Sequence, residues 1–288
     1  PLYRRDDIIS TQYIMTTLEE LGLLKMDFLG LRTLTVIQDT IELVKANRGI
    51  DVEFDKDMND SKVYKLWQDG NSVGIFQFES QGMTNFMKEL KPDCLEDIIA
   101  GVSLYRPGPM DQIPRYIANK KDPEHAVYTH PALKPILEVT YGCMVYQEQV
   151  MQIVRDLAGY SLGRADLVRR AMGKKKLDVM AKEREIFING QLDENGNIVV
   201  PGCVRNGIDA ESANKIFDEM AEFAKYAFNK SHAAAYAVVS YRTAYLKAYY
   251  PAEFMAATLN SFLGNLDKIP DYIDCLLYTS PSPRDYAA

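Results

Sequence analysis

Residues 209–226 read DAESANKIFDEMAEFAKY. Apolar side chains recur at Ala213, Ile216, Phe217, Met220, Phe223 and Ala224, a three-to-four-residue period that puts them on one side of a helix. Asp209 stands where an N-cap belongs, because its carboxylate can accept a free backbone N–H of the first turn. Outward in both directions the same period dominates. It predicts helices near 60–68, 80–90, 94–104, 110–119, 146–158, 162–172, 177–189, 232–249 and 251–262. From Leu31 onward Leu34, Ile37, Ile41 and Val44 form another apolar stripe. The non-helical pieces are 74–79, the Arg106–Pro109 loop, and Asp193–Gly196, a turn expected at a hairpin tip between Phe187 and Val200.

Only the first 31 residues break the helical pattern. They read as strand, helix, strand, with a short helix starting at the Thr17–Glu20 capping box and ending at Gly22. Leu23 to Leu29 alternate as a strand, placing Leu24, Met26 and Phe28 on one face and Lys25 beside Asp27 on the other. The expected architecture is mainly α with a small α/β edge.

The chain has 288 residues, 33 basic and 40 acidic, for a net charge of −7. That length suits about two ordinary domains or one large one. With 47% hydrophobic and 25% charged residues the composition is globular and excludes disorder throughout. No apolar run reaches the roughly 20 residues of a membrane span. The four cysteines form no CxxC pair, which argues against a zinc ribbon or disulfide framework and fits a reducing cytoplasm. There is no Walker A, GxGxxG, HExxH or GxSxG motif.

Four segments carry chemistry-bearing residues. In the first, a strand-borne Asp27 next to Lys25 suits a divalent cation and phosphate oxygens, or is a surface ion pair. The second is GYSLGRADLVRRAMGKKK at 159–176. Between Ser161 and Arg184 eight Lys/Arg face three Asp/Glu, a basic patch in an acidic chain. Ser161 is the expected N-cap and Gly173 the stop, with Leu162, Ala165, Val168 and Met172 toward the core. Arg169 and Arg170 then lie on the other side, with Lys174 and Lys175 just beyond the helix end. Such a cluster suits a polyphosphate or nucleic-acid backbone; the alternative is a solvated face on which Asp166 pairs Arg169 or Arg170. In the third, Asn229 or Ser231 caps a helix whose free N–H groups, beside Lys230, form an anion site in principle. His232 reads more as a packing residue. Tyr236, Tyr241, Tyr245 and Tyr249 read as a packing stripe rather than a base-stacking platform. In the fourth, two prolines stiffen the loop that holds Arg106, for phosphate contact or for a salt bridge.

In order along the chain, KMDFLGLRTLTVI at 25–37, GIFQFES at 74–80, YRPGP at 105–109, YQEQVM at 146–151, RRAMGKKK at 169–176 and FNKSHAAAYA at 228–237 resemble the alpha subunit of bacterial DNA polymerase III, the C-family replicative polymerases. The resemblance covers residues 1–274. It implies the end of a nucleotidyltransferase-like palm over 1–31 and a helical, incomplete fingers domain over 32–274. It implies template-directed addition of deoxynucleotides to a primer 3′ end during chromosome replication, in the cytoplasm and with no membrane. Two Mg²⁺ ions are implied, held by three aspartates. Asp27 matches the third, and no PDxDxD motif for the other two occurs in this sequence. Lys25 matches a lysine near the incoming triphosphate, and Arg169, Arg170 and Lys174 match the residues that grip it. Arg106, Lys175, Asn229, Lys230, Ser231 and His232 match family motifs as candidate phosphate or nucleic-acid contacts.

The implied partners are primer-template DNA and deoxynucleoside triphosphates, with the sliding clamp and other replicase subunits bound through regions absent from this sequence. The chain alone is expected to be inactive. The alternative is a non-catalytic helical module that binds nucleotides or nucleic acid. Residues 275–288 begin CLLYTSPSPRD. That string resembles a translated sequencing adapter, so the tail is expected to be non-native and the natural sequence to stop near Asp274.

Overall fold

The computed structural model describes residues 1–24, 26, 30–173, 177–264, 269–270 and 272–273. A hairpin of β1 (Leu2–Arg5) and β2 (Ile8–Thr11) leads into α1 (Met15–Glu20). Then follow α2 (Arg32–Arg48), α3 (Ser61–Gln68), α4 (Gln81–Leu90), α5 (Leu95–Leu104), α6 (Ile113–Lys121) and the single turn α7 (Lys134–Leu137). Next come α8 (Gln147–Ala158), α9 (Leu162–Gly173), α10 (Leu177–Asn189), a second hairpin of β3 (Gln191–Leu192) and β4 (Ile198–Val200), and α11 (Gly202–Arg205). The chain closes through α12 (Ala210–Phe223), α13 (Lys230–Tyr249) and α14 (Pro251–Ser261). No described helix is long and apolar enough to cross a membrane.

The helices start where the sequence supplies caps. Asp60, Ser80, Asp209 and Asn229 each accept a backbone N–H of the first turn of α3, α4, α12 and α13, satisfying donors that have no partner inside the helix. The Asp193–Gly196 turn is the expected hairpin tip, with Asp193 taking N–H bonds from Asn195 and Asn197 at 2.9 and 2.7 Å.

The helices enclose three cores. The first gathers Tyr64, Trp67, Phe78, Ile98, Tyr116 and Tyr241 from α3 to α6 and the front of α13. The second gathers Ile153, Val154, Val168, Phe187, Ile216 and Phe217 from α7 to α12. The third joins α2, α14 and the end of α13 through Val36, Ile37, Leu246 and Phe254. The second core is drawn from one continuous stretch, residues 133–224, while the first takes residues from both sides of that stretch and Cys143, Val145 and Tyr146 from within it. Where the second hairpin meets α11 the chain passes so close to itself that Gly202, at φ +78°, has room for no side chain. A Cβ there would lie 2.3 Å from the Gly190 backbone nitrogen.

Several expectations need correction. The opening strand is one arm of a hairpin. The helix after it begins at Met15, two residues before the capping box. Leu23, Leu24 and Met26 take no regular structure, and Leu24 is 80% exposed. A strand needs a partner, and β1 and β2 pair with each other. Lys25, Asp27, Phe28 and Leu29 lie outside the described residues. Leu34 and Leu162, read as core-facing, are 52% and 59% exposed; the buried side of α2 runs through Val36, Ile37, Thr40 and Val44, a face turned away from Leu34. The tyrosine stripe on α13 is structural. Tyr241 is buried, with its hydroxyl accepting from the Asp60 N–H at 3.0 Å and donating to Asp55 at 3.2 Å, and Tyr249 donates to Asp60 at 2.6 Å.

Candidate functional site

The basic helix α9 follows its predicted design at the start. Ser161 Oγ accepts the Arg164 N–H at 3.3 Å, and Ala165, Val168 and Met172 are buried. The positive charge is then shared out. Arg164 is taken by Gln191 at 2.6 Å and Glu183 at 3.3 Å. Arg184 is taken by Asn214 at 3.2 Å and by Asp218. Arg169 and Arg170 share one carboxylate. Asp166 Oδ1 accepts from Arg169 Nη2 at 2.6 Å and Nε at 3.0 Å, and Asp166 Oδ2 meets Arg170 Nε at 2.7 Å. Hydrogen bonds from Arg169, reinforced by the charge of both arginines, hold the Asp166 carboxyl below the usual carboxylate range. Two guanidiniums on one anion leave a net positive charge, presented by side chains that are 22% (Arg169) and 62% (Arg170) exposed. Lys174 and Lys175, the continuation of this patch, lie outside the described residues.

Three other motifs converge beside Arg169, on the turn that leads into α13. Gln147, the first residue of α8, accepts from Arg169 Nη1 at 2.9 Å and donates its amide to the Ala227 carbonyl at 3.1 Å. Its backbone N–H donates to the Phe228 carbonyl at 2.8 Å. Arg106 stacks its guanidinium 3.8 Å from the centre of the Phe228 ring and donates to the Tyr226 carbonyl at 3.2 Å. Among the described residues it makes no ion pair, so the salt-bridge alternative is not what holds it. Burial pulls its pKa below the usual arginine value.

The N-terminus of α13 is already served. Asn229, and not Ser231, is the cap, accepting from the His232 N–H at 2.8 Å. Glu148 accepts from the Lys230 N–H at 3.0 Å and from the Asn229 amide at 2.9 Å. The Lys230 ammonium lies 3.0 Å from Glu96. The anion site expected at Asn229–His232 therefore holds the chain's own carboxylate. Ser231 is exposed. His232 packs between Phe228 and Tyr236, with ring centres 5.3 and 4.3 Å away.

Gln147 and Glu148 carry no signal in the sequence beyond their place in YQEQVM. A separate cleft of ≈ 290 Å³ lies between the Arg106 loop and the end of α12, lined by Asp111, Arg115, Met144, Glu219, Phe223 and Tyr226 among others.

Among the described residues Asp93, Cys94 and Asp97 bring ligand-type atoms within 4.8 Å of one another. The Lys120 ammonium occupies that cluster, meeting Asp93 at 3.1 Å and pairing with the fully buried Asp97. A cluster that already holds an ammonium, with a thiol as its third group, does not fit Mg²⁺, which takes oxygen ligands.

Fold and site together define a helical domain that presents a partly neutralised arginine pair beside a rigid turn. The profile of the bacterial DNA polymerase III alpha subunit finger domain matches residues 33–195, and the chain belongs to this family. Curated relatives named DNA polymerase III subunit alpha are 50% identical over 269 residues in Thermus aquaticus, 47% over 277 in Borreliella burgdorferi and 49% over 271 in Xylella fastidiosa strain 9a5c. The alignments cover 91%, 95% and 92% of this chain and 21%, 23% and 22% of those relatives. The chain thus spans about a fifth of their length.

Proposed function

We propose that this chain is the palm edge (1–31) and fingers (32–274) of a cytoplasmic DNA-directed DNA polymerase, and that α9 binds the incoming deoxynucleoside triphosphate. The observation that carries the reading is the Arg169–Arg170 pair, two guanidiniums on a single carboxylate in a member of the polymerase finger-domain family. Guanidinium forks match phosphate oxygens in pairs, and each charge-assisted bond is worth about 1.5–3 kcal/mol. The arginines balance charge on the phosphates during nucleotidyl transfer, so the role of this segment is positioning and electrostatics. The family resemblance assigns Lys25 and Lys174, both outside the described residues, to the same triphosphate. Arg106, Lys175, Asn229, Lys230, Ser231 and His232 are the candidate nucleic-acid or phosphate contacts, Arg106 and the 229–232 turn by setting the shape of this face.

Two Mg²⁺ ions, when bound, would supply the activation of the primer hydroxyl and the stabilisation of the leaving pyrophosphate. Asp27, outside the described residues, is the residue of this chain that would serve that role. The sequence contains no PDxDxD, so the 288-residue chain by itself does not polymerise, and primer extension by it would refute this. The sliding clamp and other replicase subunits bind elsewhere in the longer protein.

The test is a titration of dATP with Mg²⁺ into the chain and into an Arg169→Ala/Arg170→Ala variant. Saturable binding lost in the variant supports the reading. Equal binding by both assigns the patch to a solvated face.

A further inference from the structure

Arg169 has two kinds of partner. Asp166 sits three residues earlier on the same helix and moves with it. Gln147 sits on α8 and is, among the described residues, the only partner of Arg169 from outside α9. The Gln147 amide is fixed in one orientation by polarity. Its nitrogen faces the Ala227 carbonyl, which only accepts, and its oxygen faces a guanidinium, which only donates. The backbone beneath it is fixed as well, because the Gln147 N–H is bonded to Phe228. Phe228 in turn carries the Arg106 guanidinium, and the next residue, Asn229, caps α13 and bonds Glu148. The chain of contacts therefore runs from the start of α13 through Gln147 to one guanidinium. Arg170, more exposed and bonded to Asp166 alone among the described residues, has no such tether.

We propose that Gln147 is a positioning residue for Arg169. It sets the direction in which that guanidinium meets a phosphate oxygen, while Arg170 contributes charge without a fixed direction. The proposal rests on α9 being the triphosphate-binding element. A tethered arginine has already given up the rotamer freedom that a free one must lose on binding, so removing the tether weakens binding although no contact to the ligand is lost.

The experiment compares dATP·Mg²⁺ affinity in the chain, in Gln147→Met, in Arg169→Ala and in the double variant. Methionine keeps the length of the side chain without the amide, and Gln147→Ala repeats the comparison because it too retains the backbone bond to Phe228. The expected result is a loss of about 3- to 10-fold for Gln147→Met, the worth of one hydrogen bond. A larger loss is expected for Arg169→Ala, and a double variant no weaker than Arg169→Ala alone. Full affinity in Gln147→Met where Arg169→Ala binds poorly overturns the proposal, and so does the same Gln147 loss on the Arg169→Ala background. A readout that needs no nucleotide is solvent exchange of the Arg169 Nη1–H, the hydrogen that Gln147 accepts, followed by nitrogen-15 NMR. Exchange should quicken in Gln147→Met, and an unchanged rate overturns the tether. If Arg169→Ala leaves dATP binding intact while that exchange responds, the triphosphate reading has failed and the tether has not.

Discussion

Asp166 shows what one side chain does in two directions. It neutralises half of the arginine pair and also competes with any anion for both guanidiniums. Asp166→Asn keeps an acceptor and removes the charge, so dATP·Mg²⁺ should bind the variant more tightly than the parent chain, and binding should fall more steeply with salt. The same carboxylate has a pH signature. Its pKa lies below the ordinary 3.8 in the folded chain, so its contribution to stability is present above that value and is lost as pH falls through the lowered one. Thermal melts should place Asp166→Asn below the parent at pH 7 and bring the two together in strong acid. Lys120 gives a larger effect. Lys120→Met leaves the fully buried Asp97 without its ammonium and should cost about 3–5 kcal/mol in denaturant unfolding, much of it recovered on adding Asp97→Asn. At this scale legibility follows distance along the chain. The Asp166–Arg169–Arg170 pairing was readable because three- and four-residue spacings share a helix face. The Gln147–Arg169 bond spans 22 residues, and no local periodicity encodes it.

At the scale of elements, starts and stops are local events, which is why they could be read. Asp209, Asn229 and Ser161 cap from within one turn of the residues they serve. The misses fall where a neighbour decides. Leu23, Leu24 and Met26 follow a strand-like alternation without forming a strand, because alternation makes a strand only when another strand lies alongside. Leu34 and Leu162 fit their stripes and still face solvent, because the partner decides which face is covered, and on α2 that face takes in Val36 and Thr40 instead. Gly202 belongs here too. With φ at +78° and the Gly190 nitrogen 2.3 Å from any Cβ, Gly202→Ala should destabilise the chain by on the order of 2 kcal/mol or more. The loss should appear as a lower melting temperature and early hydrogen exchange in α10 and α11.

At the scale of the whole molecule, the opening hairpin and α1 contribute to none of the three cores. Leu2, Ile8, Ile9 and Ile14 are all at least 66% exposed. Deleting residues 1–30 should therefore leave the melting temperature of the remainder within about 1 °C while lowering its tendency to self-associate, as scanning calorimetry and light scattering would show. The helical bulk was legible because each helix declares its apolar face. The partition of those faces among three cores was not, since nothing within a helix names its partner.

The nesting of one core inside another also imposes a timetable. Residues 133–224 can close their own core once they have left the ribosome. The helices before them cannot, because α13, which completes their core, starts about a hundred residues after α6 ends. At synthesis rates of about 5–20 residues per second, that delay is roughly 5–20 s. For that interval, while residues 133–224 are themselves being made, Trp67, Phe78 and Ile98 wait on an unsealed surface. The inner lobe is thus the first to become native, and the outer lobe is the one that a chaperone would need to hold.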